Sequence, residues 1–231
     1  GDISTASVTD TVDLAFSTGN LRVTGNINNT SGVIEASVVT SDIRFVGDDT
    51  QTITNNLNSN SFGEISVNKS GGSLTISDNI TVASTDTAFN LIAGSVTSTD
   101  VIVTVSGATG LTHIEPAATL TGGTVEYTGA GSIISGVGYN NLTINVSSDS
   151  VKGGTSTDSV TFAGTLTIED GHLGITGKDF SPVANGQSVV IFPGDLGTQS
   201  AIDAVGTGTF NGLTSPRTYN LSYEGAVTTE H

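Results

Sequence analysis

The residues best placed to do chemistry are acids grouped in what read as turns. "GDDT" (47–50) sets Asp48 and Asp49 beside a glycine, and "IEDGH" (168–172) does the same with Glu169 and Asp170. Carboxylates combined with turn carbonyls make hard oxygen sites suited to Ca2+. These four residues are therefore the candidate metal ligands, and calcium is the candidate cofactor. Neither spacing is that of an EF-hand loop or of a calcium-binding nonapeptide repeat.

Sugar-cleaving chemistry would need convergent carboxylates, joined in a lyase by an Arg or Lys base. The densest such grouping is "DIRFVGDD" (42–49), where Asp48 and Asp49 follow Arg44 and Phe45. Neighbouring strand residues point to opposite faces, so Arg44 and Phe45 are not expected on one surface. The basic candidates are Arg22, Arg44, Arg217, Lys69, Lys152 and Lys178, and a sugar cleft would be lined by Arg44 or Lys69 with several acids. Aromatics make up only 5% of the chain, which leaves few platforms for stacking sugar rings. His113, His172 and His231 lie far apart, without the spacing of metal sites. No G-x-S-x-G elbow, phosphate loop or H-E-x-x-H helix is present. The chain is expected not to be an enzyme, and no catalytic residue is assigned.

Six basic residues face 22 acidic ones, a net charge of −16. That balance disfavours nucleic acid, which needs clustered Lys and Arg. No apolar run reaches membrane-spanning length, so membrane insertion is not expected. The absence of cysteine removes disulfides and thiolate chemistry. A start at Gly1 and the absence of methionine suggest a processed chain or a piece of a longer one.

The elements that would carry these residues are strands. Serine (28), threonine (37) and glycine (30) dominate a chain that is only 35% hydrophobic. β-Branched side chains lose rotamer freedom against a helical turn and fit strands better. Aligned with itself, the chain shows "SLTISDNITV" (73–82) over "SVTFAGTLTI" (159–168) without a gap, with the apolar positions coinciding. "EISVN" (64–68) resembles "NLTIN" (141–145), and "DIRFVGDDTQTI" (42–53) resembles "TVEYTGAGSII" (124–134). A closing motif recurs as "LRVTG" (21–25), "VTVSG" (103–107) and "LGITG" (173–177). These similarities imply a unit of roughly 80 residues holding three or four coils of about 20–25 residues.

Short strands of about five residues, few Asn-Gly hairpins and small inward aliphatics favour an all-β, right-handed parallel β-helix. The alternative is a tandem pair of β-sandwich domains. The solenoid is expected over 1–178, as a partial copy in 1–37 and copies at about 38–119 and 120–178. Residues 179–231 are expected to be an irregular cap or the start of further coils. T-x-T pairs at 52–54, 165–167 and 207–209 could order water and bind ice if stacked in a flat ladder over many coils, but three scattered instances are not such a file and read as outward strand residues.

"GGTVEYTGAGSIISGVGYNNLTIN" (122–145) and "ISVNKSGGSLTISDNITV" (65–82) resemble repeat units of large secreted bacterial surface proteins, adhesin-like or autotransporter-like parallel β-helix proteins. The resemblance implies a secreted or cell-surface location and a structural or adhesive role: a stiff rod with a polar, acidic surface. Expected partners are other copies of the chain, neighbouring segments of a longer surface protein, or cell-surface carbohydrate or protein. A self-assembling subunit of a surface filament or S-layer is the first alternative function, and a carbohydrate-active β-helix the second.

Overall fold

The computed structural model describes residues 1–5, 11–14, 19–29, 31–35, 41–55, 61–84, 86–107, 111–114, 118–129, 132–133, 138–146, 151–152, 160–170, 172–174, 180–182, 187–191, 202–203 and 219–223. Beyond Glu169 only the backbone is described. The described strand pairings are parallel, and they gather into a ten-stranded sheet, an eight-stranded sheet and smaller ladders. The molecule is a parallel β-solenoid, and paired sandwiches are not what forms. Residues 22 to 24 apart lie side by side at most steps: Leu21 with Ile43, Ile43 with Ile65, Ile80 with Val103, Leu142 with Leu166. Each step is one coil, within the length expected from the repeats. Ladders continue past residue 179, where Gln187–Ile191 and Tyr219–Tyr223 extend the eight-stranded sheet.

Alternation places one apolar file inside each row of paired strands. Val23, Phe45, Val67, Leu91 and Ile114 stack in register, and so do Val82, Val105, Tyr127 and Ile144. All nine are buried. The interior is larger than small aliphatics would fill. Phe45, Phe62, Phe89, Phe162, Tyr127 and Tyr139 are among its biggest fully buried side chains. The Tyr127 and Tyr139 hydroxyls approach to 3.4 Å at the centre of the coil. Burial pushes the Tyr127 phenol up to about 12, although Thr112 and Tyr139 beside it act the other way. Both rings stay neutral and hold their protons.

The 86-residue repeat corresponds to a real equivalence. Ile80 and Leu166 belong to one inward file, four pairings apart, and the backbone of Val82 reaches that of Ile168 by the same four pairings. The other similarities are local. "EISVN" lies in the ten-stranded sheet and "NLTIN" in the eight-stranded one. The closing motif likewise occurs in both: "LRVTG" leaves the strand Asn20–Val23, and "VTVSG" leaves Ile102–Val105. Residues 175–177 of the third copy lie outside the described residues.

What the motif encodes is a corner. The N–H of Ser106 donates to the Val82 carbonyl at 3.0 Å, carrying the ladder one residue past the strand end. Gly107 then passes so close to the Ser84 carbonyl that a Cβ would collide with it. Asparagines bridge other corners. The side-chain oxygens of Asn26, Asn79 and Asn141 accept from the N–H groups of Thr52 (2.8 Å), Ile102 (2.7 Å) and Thr165 (2.8 Å), each one coil further on. At two corners the strand does not break at all: Glu64–Ile76 and Thr87–Ser98 run through, with left-handed glycines at Gly72 (φ 59) and Gly94 (φ 93) absorbing the bend.

Candidate functional site

The densest polar constellation lies on the outer face of the ten-stranded sheet. Pairing puts Arg22, Arg44, Ser66 and Asn90 in one outward file, with Asp42 beside Glu64 next to it. Arg44 Nη2 donates to Asp42 Oδ2 at 2.7 Å. Ser66 Oγ lies 2.5 Å from Asp42 Oδ1 and 2.9 Å from Glu64 Oε1, and Asn90 Nδ2 donates to that same Glu64 oxygen at 3.1 Å. A hydroxyl carries one hydrogen. Ser66 therefore satisfies one carboxylate at a time, unless Glu64 supplies the second proton itself. Arg44 Nε and Asn90 Oδ1 are buried here without a partner.

Burial raises the Glu64 carboxyl above its ordinary range. The Asn90 hydrogen bond works against that rise, and the Asp42 charge adds to it. A carboxyl raised on folding binds its proton more tightly in the folded chain. Stability is then lost as pH climbs from the ordinary carboxyl range through the shifted value. Glu64→Gln keeps an oxygen for Asn90 and removes that loss. Its melting temperature should gain on the native chain's as pH rises from the ordinary carboxyl range, about pH 4; a constant difference across the series would contradict the assignment.

A second cluster occupies the corner after the strand Asp42–Gly47. Lys69 is only 3% exposed, and its Nζ donates to Gln51 Oε1 at 2.5 Å. Gln51 Nε2 in turn donates to the carbonyls of Val23 (3.0 Å) and Gly25 (2.7 Å). Burial lowers the pKa of the Lys69 ammonium, while the charges of Asp49 and Asp48 oppose the shift. Both aspartates are exposed, and the backbone around them packs against Gly71 and Gly72 of the next coil.

The sequence-predicted residues do not converge. Asp48 and Asp49 stand at a corner of the ten-stranded sheet, with the Lys69 ammonium as their neighbouring cation. Glu169 and Asp170 end the strand Leu166–Asp170 of the eight-stranded sheet instead of sitting in a turn. Burial and the Glu126 charge raise the Glu169 carboxyl. The Asp170 side chain is outside the described residues. So are the side chains of His113 and His172 and all of His231. Among the described residues no group of three or more His, Asp or Glu side chains could hold a metal ion.

Arg44 and Phe45 do part to opposite sides, Phe45 fully buried and Arg44 outward. The acids that engage Arg44, however, are Asp42 and, through Ser66, Glu64. Sequence reasoning passed over Asp42, Glu64, Ser66, Gln51 and Asn90. The signal available was the coil period, which sets Glu64 22 residues after Asp42.

One open pocket of about 430 Å3 lies at another corner, lined by Asp100, Gly122, Gly123, Thr124, Asn140 and Asn141 among others. Both asparagine amides donate to the Gly123 carbonyl at 3.1 Å, which closes the chain on itself there. No helix among the described residues is long and apolar enough to cross a membrane. No protein-family model, curated protein or solved structure matches the chain.

Proposed function

We propose that the chain is a structural or adhesive segment of a bacterial extracellular surface protein, a stiff rod presenting a polar, acidic surface. The observation that carries this reading is the uninterrupted parallel ladder of the eight-stranded sheet from Ser61–Phe62 to Tyr219–Tyr223. Every coil there lends its backbone N–H and C=O groups to the next. The winding is taken as right-handed, since parallel crossovers nearly always are. The resemblance of "TVEYTGAGSIISGVGYNNLTIN" to secreted surface repeats supplies the location, and the net charge of −16 suits a hydrated exterior. Single-molecule pulling on a tandem of this chain between marker domains tests the reading. A force-resistant element that unravels coil by coil is expected, and a chain that extends without resistance would end the proposal.

The Asp42, Glu64 and Arg44 grouping favours a second reading, a carbohydrate-active solenoid. Two carboxylates one hydroxyl apart, beside a guanidinium, resemble the parts of a sugar-cleaving site. Against it, the aromatic side chains described are all buried, so no stacking platform faces these acids among the described residues. Release of reducing or unsaturated sugars from acidic polysaccharides, abolished by Arg44→Ala, would favour this reading over the first.

A further inference from the structure

The second half of the ten-stranded sheet carries a regular array of hydroxyls. Thr52 pairs with Thr75, Thr75 with Thr97, and Thr97 with Thr121. Two residues upstream, Ser73 pairs with Ser95 and Ser95 with Thr119. Seven outward hydroxyl side chains thus form two columns across successive coils. Neighbours sit about 4.8 Å apart along a column and about 6.7 Å apart across the pair, from ordinary strand geometry. Behind them Ile53, Leu74, Ile76 and Val96 are buried in the core.

Two further observations separate this face from a merely polar one. None of the seven hydroxyls has a hydrogen-bond partner within the chain among the described residues. In the first half of the same sheet, by contrast, Arg44, Asp42, Ser66, Glu64 and Asn90 bond to one another. In the eight-stranded sheet the file Thr81, Thr104, Glu126, Thr143 is interrupted by a charge, and Thr104 Oγ1 donates to Glu126 Oε2 at 3.4 Å. In the first half of the ten-stranded sheet the file holds Arg22 and Arg44. The seven-membered array contains no charged residue.

We infer that this face binds an ordered water lattice, the surface of ice. A lattice is recognised by donors and acceptors repeated in two dimensions, and the array repeats in both. Threonine is stiff about χ1, so hydroxyl and methyl positions are set before binding, and little ordering remains to oppose it. Bridging water is nearly as good a partner as a direct hydrogen bond, and many weak contacts on one rigid body add up. A crystalline polysaccharide is the competing flat lattice. It would be gripped by aromatic faces, and the described aromatics all point inward. Of the T-x-T pairs at 52–54, 165–167 and 207–209 only the first enters this array, since Thr167 lies in the eight-stranded sheet and 207–209 are outside the described residues. Thr52 belongs to a column whose other members are spaced one coil apart.

Ice-affinity partitioning and ice-recrystallisation assays on the purified chain test this directly. The native chain should enter growing ice and arrest grain coarsening. The double variant Thr75→Lys/Thr97→Lys should lose at least about tenfold in potency, because a lysine ammonium holds its own strong hydration shell over adjacent lattice positions. Thr81→Lys, on the eight-stranded sheet, should keep its potency. Should the double variant lose its strand signal in circular dichroism, Thr121→Lys is read in its place, at the exposed end of the column, with about a threefold loss expected from one altered contact among many. The inference is overturned if growing ice excludes the native chain, if the column variants match it, or if crystalline cellulose or chitin captures it while ice does not.

Discussion

Gln51→Leu should destabilise the chain by about 3 kcal/mol in urea denaturation, since each polar group buried without a partner costs on the order of 1–3 kcal/mol. Gln51 is 1% exposed and serves three groups at once. It accepts from the Lys69 ammonium and donates to the carbonyls of Val23 and Gly25. Leucine strands both carbonyls and takes the hydrogen-bond acceptor from the ammonium, leaving it only the nearby charges of Asp49 and Asp48. That last loss is the most costly because the group is charged. Two companions locate the loss. Gln51→Glu keeps an acceptor for Lys69 but cannot donate to either carbonyl, so it should fall between native and leucine. Adding Lys69→Met to Gln51→Leu removes the ammonium charge and should recover part of the loss, a coupling that a double-mutant cycle reads. Additive effects would mean that the lysine does not depend on the glutamine.

Phe45→Ala should cost about 3–5 kcal/mol, the usual range for emptying a phenylalanine site in a core that relaxes only partly. Phe45 is completely buried, between Val23 of one coil and Val67 of the next. In a solenoid each coil touches only its neighbours, so the damage should also be local. Hydrogen exchange is expected to accelerate first in Asp42–Gly47 and the paired half of Glu64–Ile76, before Asn141–Asn145 responds. Uniform acceleration along the chain would argue for one globular core.

Much of the fold was legible because strand alternation is a local property. Val103 and Val105, or Leu142 and Ile144, declare an inward face without reference to anything distant. The polar groupings were not legible, because their members meet across coils. Ser66 finds Asp42 24 residues back, Gln51 reaches Val23 28 back, and Lys69 reaches Gln51 18 back. Those partnerships depend on register, and coil length varies. Val125 pairs with Leu142 after 17 residues, Val189 with Leu221 after 32. Corners mislead in the same way. "NKSGGS" looks like a turn between strands, yet Glu64–Ile76 passes through it unbroken, since Gly72 accommodates the bend in the left-handed region. The hydroxyl columns escaped notice for a related reason. Serine substitutes for threonine within them, and only the pairing reveals that Ser73, Ser95 and Thr119 occupy one line.

The claim on which all else rests is that successive coils stack in register along one axis. The absence of cysteine makes it directly measurable, since paired cysteines can be introduced and spin-labelled without background. Ser61, Thr81, Thr104, Glu126, Thr143 and Thr167 follow one another in the eight-stranded sheet. Electron-spin distances from a label at Ser61 should therefore grow by about 4.8 Å per coil, to roughly 19 Å at Thr143 and 24 Å at Thr167. A steady rise of that size is the predicted result. Distances that shorten again, or that jump to a separate broad population between Thr104 and Thr167, would contradict the solenoid.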